Sequence, residues 1–288
     1  MEEIADNVFI EVDYPRVVLG AFKLDHGMVM IDSPFRLEDV RSWKGKIRHL
    51  GSGMDSLLLL LDAHIDRTLL AFGMETDVII HEDACSIIRN RSASSRSQEL
   101  EIGPDWTHTE LPTGTRFVNP RMTFSKEVLI HWGETPLVIS HKPGAHLAGA
   151  WLIYDAQKII FIGDSVVMDQ PPFLAKADLG TWIDELTWLA SDRFNNYQII
   201  SSRNGLIQME SVRKMSSLLI HIKEQLDALS NEEIPMVGVP DLCSILLKEI
   251  DFDPQNQDRY QHRLTHGLEQ YLKRHYLNQN SGTKGEDE

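Results

Sequence analysis

Asp62, His64 and Asp66 stand at alternate positions in the segment Asp62-Ala63-His64-Ile65-Asp66-Arg67, directly after the five leucines Leu57 to Leu61. Imidazole and carboxylate side chains are the ligands that a borderline divalent cation prefers. The leucine run is long enough for a buried strand and too short to span a membrane. The polar segment therefore begins at the carboxyl end of a strand, where open α/β sheets place their chemistry.

Three further polar clusters also follow apolar runs. Pro143-Gly144-Ala145-His146 comes after Leu137 to Ser140, Gly163-Asp164-Ser165 after Ile159 to Ile162, and Arg203-Asn204-Gly205 after Ile199 to Ser201. Plainer roles exist for each residue alone. Asp62, Asp66 and Asp164 could cap helices at strand-to-helix turns, and His64 and His146 could be hydrogen-bonded core histidines. Only the shared placement of the four clusters at strand ends argues for a common ion.

The elements that must position these residues are legible as periodicity. Val8 to Val12, Val17 to Leu24 and Met28 to Asp32 read as strands, with a hairpin turn at Asp25-His26-Gly27. Leu37 to Leu50 reads as a helix, and a further helix is expected from Thr68 to about Glu75, before a strand at Val78 to Ile80. That strand, helix, strand order is a βαβ unit. Pro136 to Ser140, Ala150 to Tyr154, Lys158 to Gly163 and Gln198 to Ser201 are expected strands, and Thr181 with Asp184 has capping-box spacing for another helix. Beyond residue 210 the apolar positions Val212, Met215, Leu219, Ile222 and Leu226 recur at three and four, one face of an amphipathic helix. Asp241 to Ile250 and Asp258 to Tyr276 read as helices as well, and the polar end from 278 to 288 is expected to be disordered.

Over roughly residues 7 to 210 the chain resembles the metallo-β-lactamase superfamily. The resemblance rests on the strand leading to Asp32, the segment Asp62 to Arg67 in place of a His-x-His-x-Asp-His motif, the Pro143 to His146 turn, Gly163-Asp164, and Arg203-Asn204-Gly205 in place of a final Gly-His-Gly-like turn. It implies an α/β fold, a four-layer αββα sandwich with a C-terminal helical extension, and two metals at one edge of the paired sheets. The domain boundaries expected are 1–210 for the sandwich and 211–277 for the helical extension. Family logic would give the first metal Asp62, His64 and His146, with Asp164 as the bridging carboxylate. The second would keep only Asp66 and Asp164, because Arg67 and Asn204 (or Arg203, since the turn aligns either way) replace its histidines. Arginine stays protonated and cannot ligate a cation, but it can neutralise carboxylates that face a missing one. The expectation is one divalent ion (Zn, Fe or Mn) or none, with Asp66 positioning water and Arg67 and Asn204 compensating for the second ion. Arg67 would also hold an anionic group of the substrate.

The bulk properties exclude several functions. A net charge of −15 argues against extended nucleic-acid binding; the local exception, Arg89, Arg91 and Arg96 beside a serine-rich stretch, reads as a solvated loop. No run approaches a membrane span, the acidic start lacks a secretory pattern, and two cysteines are too few for a disulfide framework, so cytoplasmic residence is the default. There is no phosphate-cradling glycine loop and no Gly-x-Ser-x-Gly nucleophile turn. His262 and His266, four apart on an expected helix, lack the intervening Glu of a zinc protease and read as a surface face. The expected function is a metal-dependent hydrolase, cleaving an ester, lactone, amide, thioester or phosphoester of a small-molecule substrate. The alternative is a catalytically silent protein of the same fold serving as a binding or scaffold module. Redox chemistry would need a flavin-carrying partner domain and two intact metal positions, and neither is present. The apolar C-terminal helix face allows a homodimer.

Overall fold

The leucine run is buried on both sides. In the computed structural model, which describes residues 1–51, 53–91 and 117–277, Leu58 and Leu60 face one hydrophobic layer and Leu59 and Leu61 face another. A strand covered on both faces needs no polar alternation, which is why five leucines succeed one another. Its neighbour shows the same division, with Met28 and Met30 on one side and Val29 and Ile31 on the other.

The first sheet has seven strands in the order β1 (Glu2–Ala5), β2 (Val8–Glu11), β3 (Leu19–Leu24), β4 (Gly27–Ile31), β5 (Ser56–Leu59), β6 (Asp77–His81) and β7 (Met122–Phe124). Strands β1 to β4 pair antiparallel, and β4 to β7 run parallel. The helices α1 (Leu37–Leu50) and α3 (Glu82–Asn90) cover its outer face through Val40, Trp43, Ile47, Ala84, Cys85 and Ile88. Between them lies one helical turn, α2 (Ile65–Thr68). The second sheet comprises β8 (Glu127–Ile130), β9 (Leu137–His141), β10 (Ala150–Tyr154), β11 (Ile159–Phe161), β12 (Gln198–Ser201) and β13 (Gly205–Ile207). Its outer face carries α4 (Leu179–Leu189), α5 (Met209–Ser230), α6 (Val239–Leu247) and α7 (Gln257–Leu272). The two sheets meet face to face through Phe22, Ile31, Leu59, Ile139, Leu152 and Phe161. This is the expected αββα sandwich. The amphipathic stripe Val212 to Leu229 is the buried face of α5, in the same apolar layer as Trp182 and Ile199.

Several local expectations need correction. The helix anticipated from Thr68 to Glu75 starts earlier, at Ile65, and breaks into a separate 3₁₀ turn over Ala71–Met74. Asp66 and Arg67 are thus helical residues and not part of an extended loop. Helix α4 is capped by Asp178, whose Oδ1 accepts from Thr181 N at 2.8 Å, and not by Thr181. Strands β1, β7, β8 and β13 are too short or too polar to show as periodic runs. Arg91 is no solvated residue: it donates to Thr68 Oγ1 at 2.8 Å and to the carbonyl of Ala63, inside the motif. Arg96, the serine-rich stretch and residues 278–288 lie outside the described residues. Among the described residues no helix is long and apolar enough to cross a membrane.

Candidate metal centre and its two arginines

Parallel pairing brings the carboxyl ends of β4 and β5 together, and likewise those of β11 and β12. Backbone bonds from Ala150 N to Leu61 O (2.7 Å) and from Val18 N to Ser202 O (2.8 Å) join the sheets at that edge. Asp32, Asp62, His64, Asp66, Arg67, Asp164 and Ser202 are all buried there. The turn that carries His146 arrives from β9. It depends on Gly144, where a Cβ would lie 2.4 Å from Trp182 Cα, and its Gly144 N–H is held by Glu185 Oε2 at 3.2 Å.

At the centre is the guanidinium of Arg67, with no exposed surface. It reaches Asp164 Oδ1 at 2.6 Å, Asp62 Oδ2 at 3.1 Å and Asp32 Oδ2 at 3.2 Å. A second guanidinium, Arg203, donates through Nη2 to Asp164 Oδ2 (2.7 Å), through Nε to Asp164 Oδ1 (3.0 Å) and through Nη1 to Asp66 Oδ2 (2.6 Å). Its Nη1 also meets the carbonyl of Arg16 at 2.6 Å. Such bidentate, charge-assisted bonds are the strongest a carboxylate makes with a side chain. Asp32 is fixed by Leu61 N (3.0 Å) and Ser202 Oγ (3.1 Å) in a left-handed backbone conformation (φ 59°), strain that the surrounding bonds must hold.

The electrostatics divide the cluster. Burial alone would raise Asp164, but Arg203 and Arg67 outweigh it and hold the carboxyl well below its usual range. Asp62 has less help: burial pushes it up to about 7 against the pull of Arg67. Burial also keeps His64 well below the usual imidazole range, so it is neutral at pH 7 and offers a lone pair. One ligand atom each from Asp62, His64 and Asp164 lies within 4.8 Å of the others. A divalent cation therefore suits the Asp62 side, where negative charge is under-compensated and a neutral imidazole is available. It does not suit the Asp66 side, where the Arg203 guanidinium stands between Asp66 and Asp164.

The structure places several of the expected site residues differently. Arg203, not Asn204, reaches Asp66 and Asp164. Asn204 instead accepts from Met168 N and donates to Asp169 Oδ1, both at 3.0 Å, and so braces the loop after Asp164. Asp66 is bound by Arg203, and Arg16 Nη1 stands 3.9 Å away, so it is not presented to a water. Arg67 has no surface left for a substrate anion. His146 stands beside the ligand triangle, its ring centroid 5.4 Å from that of His64, and its Nδ1 accepts from Ala148 N at 3.1 Å. A neutral ring in that contact carries its proton on Nε2, so ligation by His146 would require the ring to give up its bond to Ala148 N.

The loop after Asp164, expected from its position to wall a substrate pocket, and the C-terminal helix α7 complete the site. Phe173 packs edge-on against His64 at 4.7 Å between ring centroids, with Arg203 and Arg263 over its ring at 4.9 and 4.3 Å. Arg263, His266 and Gly267 of α7, with Lys176, line a cavity of about 30 Å³ against His64 and His146. His266 is therefore part of the cavity wall and not of a surface face.

No family model matches the chain, and no curated protein matches it either. Solved structures do. A metallo-β-lactamase family protein from Thermus thermophilus superposes with a TM-score of 0.65 at 19% identity, covering 98% of this chain and 96% of that one. The chain has the metallo-β-lactamase fold. A metallo-β-lactamase from Pontibacter korlensis gives 0.59 at 18% identity over 76% of this chain and 97% of its own. A stereoselective inverting sec-alkylsulfatase from Pseudomonas sp. gives 0.66 at 12% identity, over 99% of this chain and 52% of that protein.

Proposed function

We propose that this metallo-β-lactamase-fold chain is a hydrolase that works with one divalent ion, held by Asp62, His64 and Asp164. The observation that supports this reading is the convergence of those three buried ligand atoms within 4.8 Å of one another, on the side of the cluster where positive charge is lacking. A bound ion there would supply Lewis acidity, polarising an ester-type oxygen and bringing the pKa of a coordinated water toward ~7. Arg67 and Arg203 keep Asp164 ionised and do the charge balancing of a second ion. His146, with its proton on Nε2, would face the cavity as a hydrogen-bond donor to the substrate or leaving group. Lys176 and Arg263 make the cavity wall positive, which favours an anionic substrate over a neutral one.

Elemental analysis of purified full-length protein, with kinetics on a panel of ester, lactone, sulfate-ester and phosphodiester substrates, tests the proposal. His64→Gln should abolish both the ion at the cluster and turnover. His146→Gln should keep the ion while kcat falls by about 2- to 10-fold, the worth of one hydrogen bond. A protein that turns over equally well after His64→Gln contradicts the reading.

One observation favours the catalytically silent alternative. The cavity of about 30 Å³ is far below the roughly 300–1,000 Å³ of small-molecule sites. Under that alternative a ligand would occupy the 780 Å³ groove between Val167, Met168, Gln170 and α5, which none of the cluster residues lines. Absence of any turnover, with ligand-dependent protection of that groove from hydrogen exchange, would establish it.

A further inference from the structure

A second group of ligand-type side chains sits away from the arginine cluster, where the first sheet hands over to the second. His81 ends β6 and caps α3, His141 ends β9, and Asp83 lies in the first turn of α3. The hydrogen bonds fix both ring tautomers. His81 Nε2 lies 2.8 Å from Ser125 O and His141 Nε2 lies 2.9 Å from Leu147 O. A carbonyl only accepts, so both Nε2 atoms carry the proton and both Nδ1 atoms carry lone pairs. The rings stack at 3.7 Å between centroids with planes 15° apart. Asp83 Oδ2 is 3.6 Å from His81 Nδ1, and one ligand atom from each of the three residues lies within 4.8 Å of the others.

We infer that His81, Asp83 and His141 form a second divalent-cation site, of the two-imidazole, one-carboxylate type that takes Zn²⁺ and similar borderline ions. Each histidine already donates its other ring N–H to a backbone carbonyl, the arrangement that orients metal-bound imidazoles and raises their basicity. The bond to be given up is the 3.2 Å contact from Asp83 N to His81 Nδ1. Glu82 adds negative charge beside the site and offsets the positive end of α3. Asp83 is half-exposed, so the ion has a route from solvent, and the two rings tilt out of their stack to share it.

The consequence is structural. An ion here ties β6 of one sheet to β9 of the other. Through the His141 bond to Leu147 it also clasps the turn from Lys142 to His146, which delivers His146 to the hydrolytic site. This inference is independent of the proposed reaction.

The test is a Zn²⁺ titration of chelator-stripped, full-length protein against a chromophoric competitor, paired with thermal melts. Wild type should bind two equivalents, and Zn²⁺ should raise its Tm. Asp83→Asn, a mild change at an exposed position, and His141→Gln should each weaken one equivalent by more than about 100-fold, beyond the 10–100-fold typical of losing an outer partner. His64→Gln should remove the other equivalent only. If the proposed hydrolytic ion is wrong and this inference right, wild type binds a single equivalent, lost in Asp83→Asn and kept in His64→Gln. Unchanged Zn²⁺ affinity and unchanged Tm response in both Asp83→Asn and His141→Gln would overturn the inference.

Discussion

The two halves of the buried cluster are built from the same kind of carboxylate and have opposite needs. Around Asp66 and Asp164, two guanidiniums bind three of the four carboxylate oxygens at 2.6–3.0 Å, and Asp164 Oδ2, bound once, keeps a lone pair 3.8 Å from His64 Nε2. Around Asp62 and His64 there is one shared arginine, an aspartate that burial pushes up to about 7, and a neutral imidazole. Neighbouring carboxylates in one buried cluster can thus be served by guanidiniums on one side and left suited to an ion on the other. A guanidinium brings its charge covalently and pays desolvation once, on folding, whereas an ion must be captured.

The largest effect should come from removing the central charge. Arg67→Met leaves Asp32, Asp62 and Asp164 without their shared partner, and breaking a buried pair from one side typically costs about 3–5 kcal/mol. Urea unfolding at pH 7 would measure it, and a loss under about 1 kcal/mol would break the comparison. Restoring imidazoles at both positions, with Arg67→His and Arg203→His together, should turn the self-balanced half into an ion site. The double variant should then bind one more equivalent of Zn²⁺ than wild type by elemental analysis; unchanged stoichiometry would mean the arginines do not stand where an ion would.

A third effect concerns Glu185, which holds the Gly144 N–H behind His146. Burial pushes its carboxyl up to about 7, opposed by Lys142. A folded pKa above the unfolded value means that this contribution is fully present below about 4.5 and is lost as pH rises through about 7. The loss above pH 8 is on the order of 3 kcal/mol. Glu185→Gln should therefore flatten the fall in Tm between about pH 4.5 and 7, and an unaltered profile would contradict the assignment. Smallest of all, Asn204→Ala removes two exposed hydrogen bonds to the Met168–Asp169 loop. It should cost roughly 0.5–1.5 kcal/mol by the net worth of such bonds and leave ion binding untouched, as a thermal melt and a titration would show.

The sandwich and its strand ends were legible because burial on both faces writes long apolar runs such as Leu57 to Leu61, and because four polar clusters interrupt them. The charge balance was legible in part: Arg67 declared itself as a cation inside a ligand motif. The choice between Arg203 and Asn204 was not, since a turn of adjacent residues aims one side chain inward and the other outward, and only the backbone decides which. His146 misled for a similar reason. Residue type cannot say which ring nitrogen a local backbone N–H has claimed, here that of Ala148. Lys176 and Arg263 reach the site with no spacing to announce them. Nothing in the spacing of His81 and His141 couples them, and only the packing of β6 against β9 stacks their rings.

The central claim is that the arginine pair replaces one ion of the cluster and leaves room for one. Zn²⁺ stoichiometry of stripped full-length protein carrying His141→Gln, with the outer site thereby disabled, tests it most directly. The account requires one equivalent, lost when His64→Gln is added. Two equivalents, or none, would contradict it.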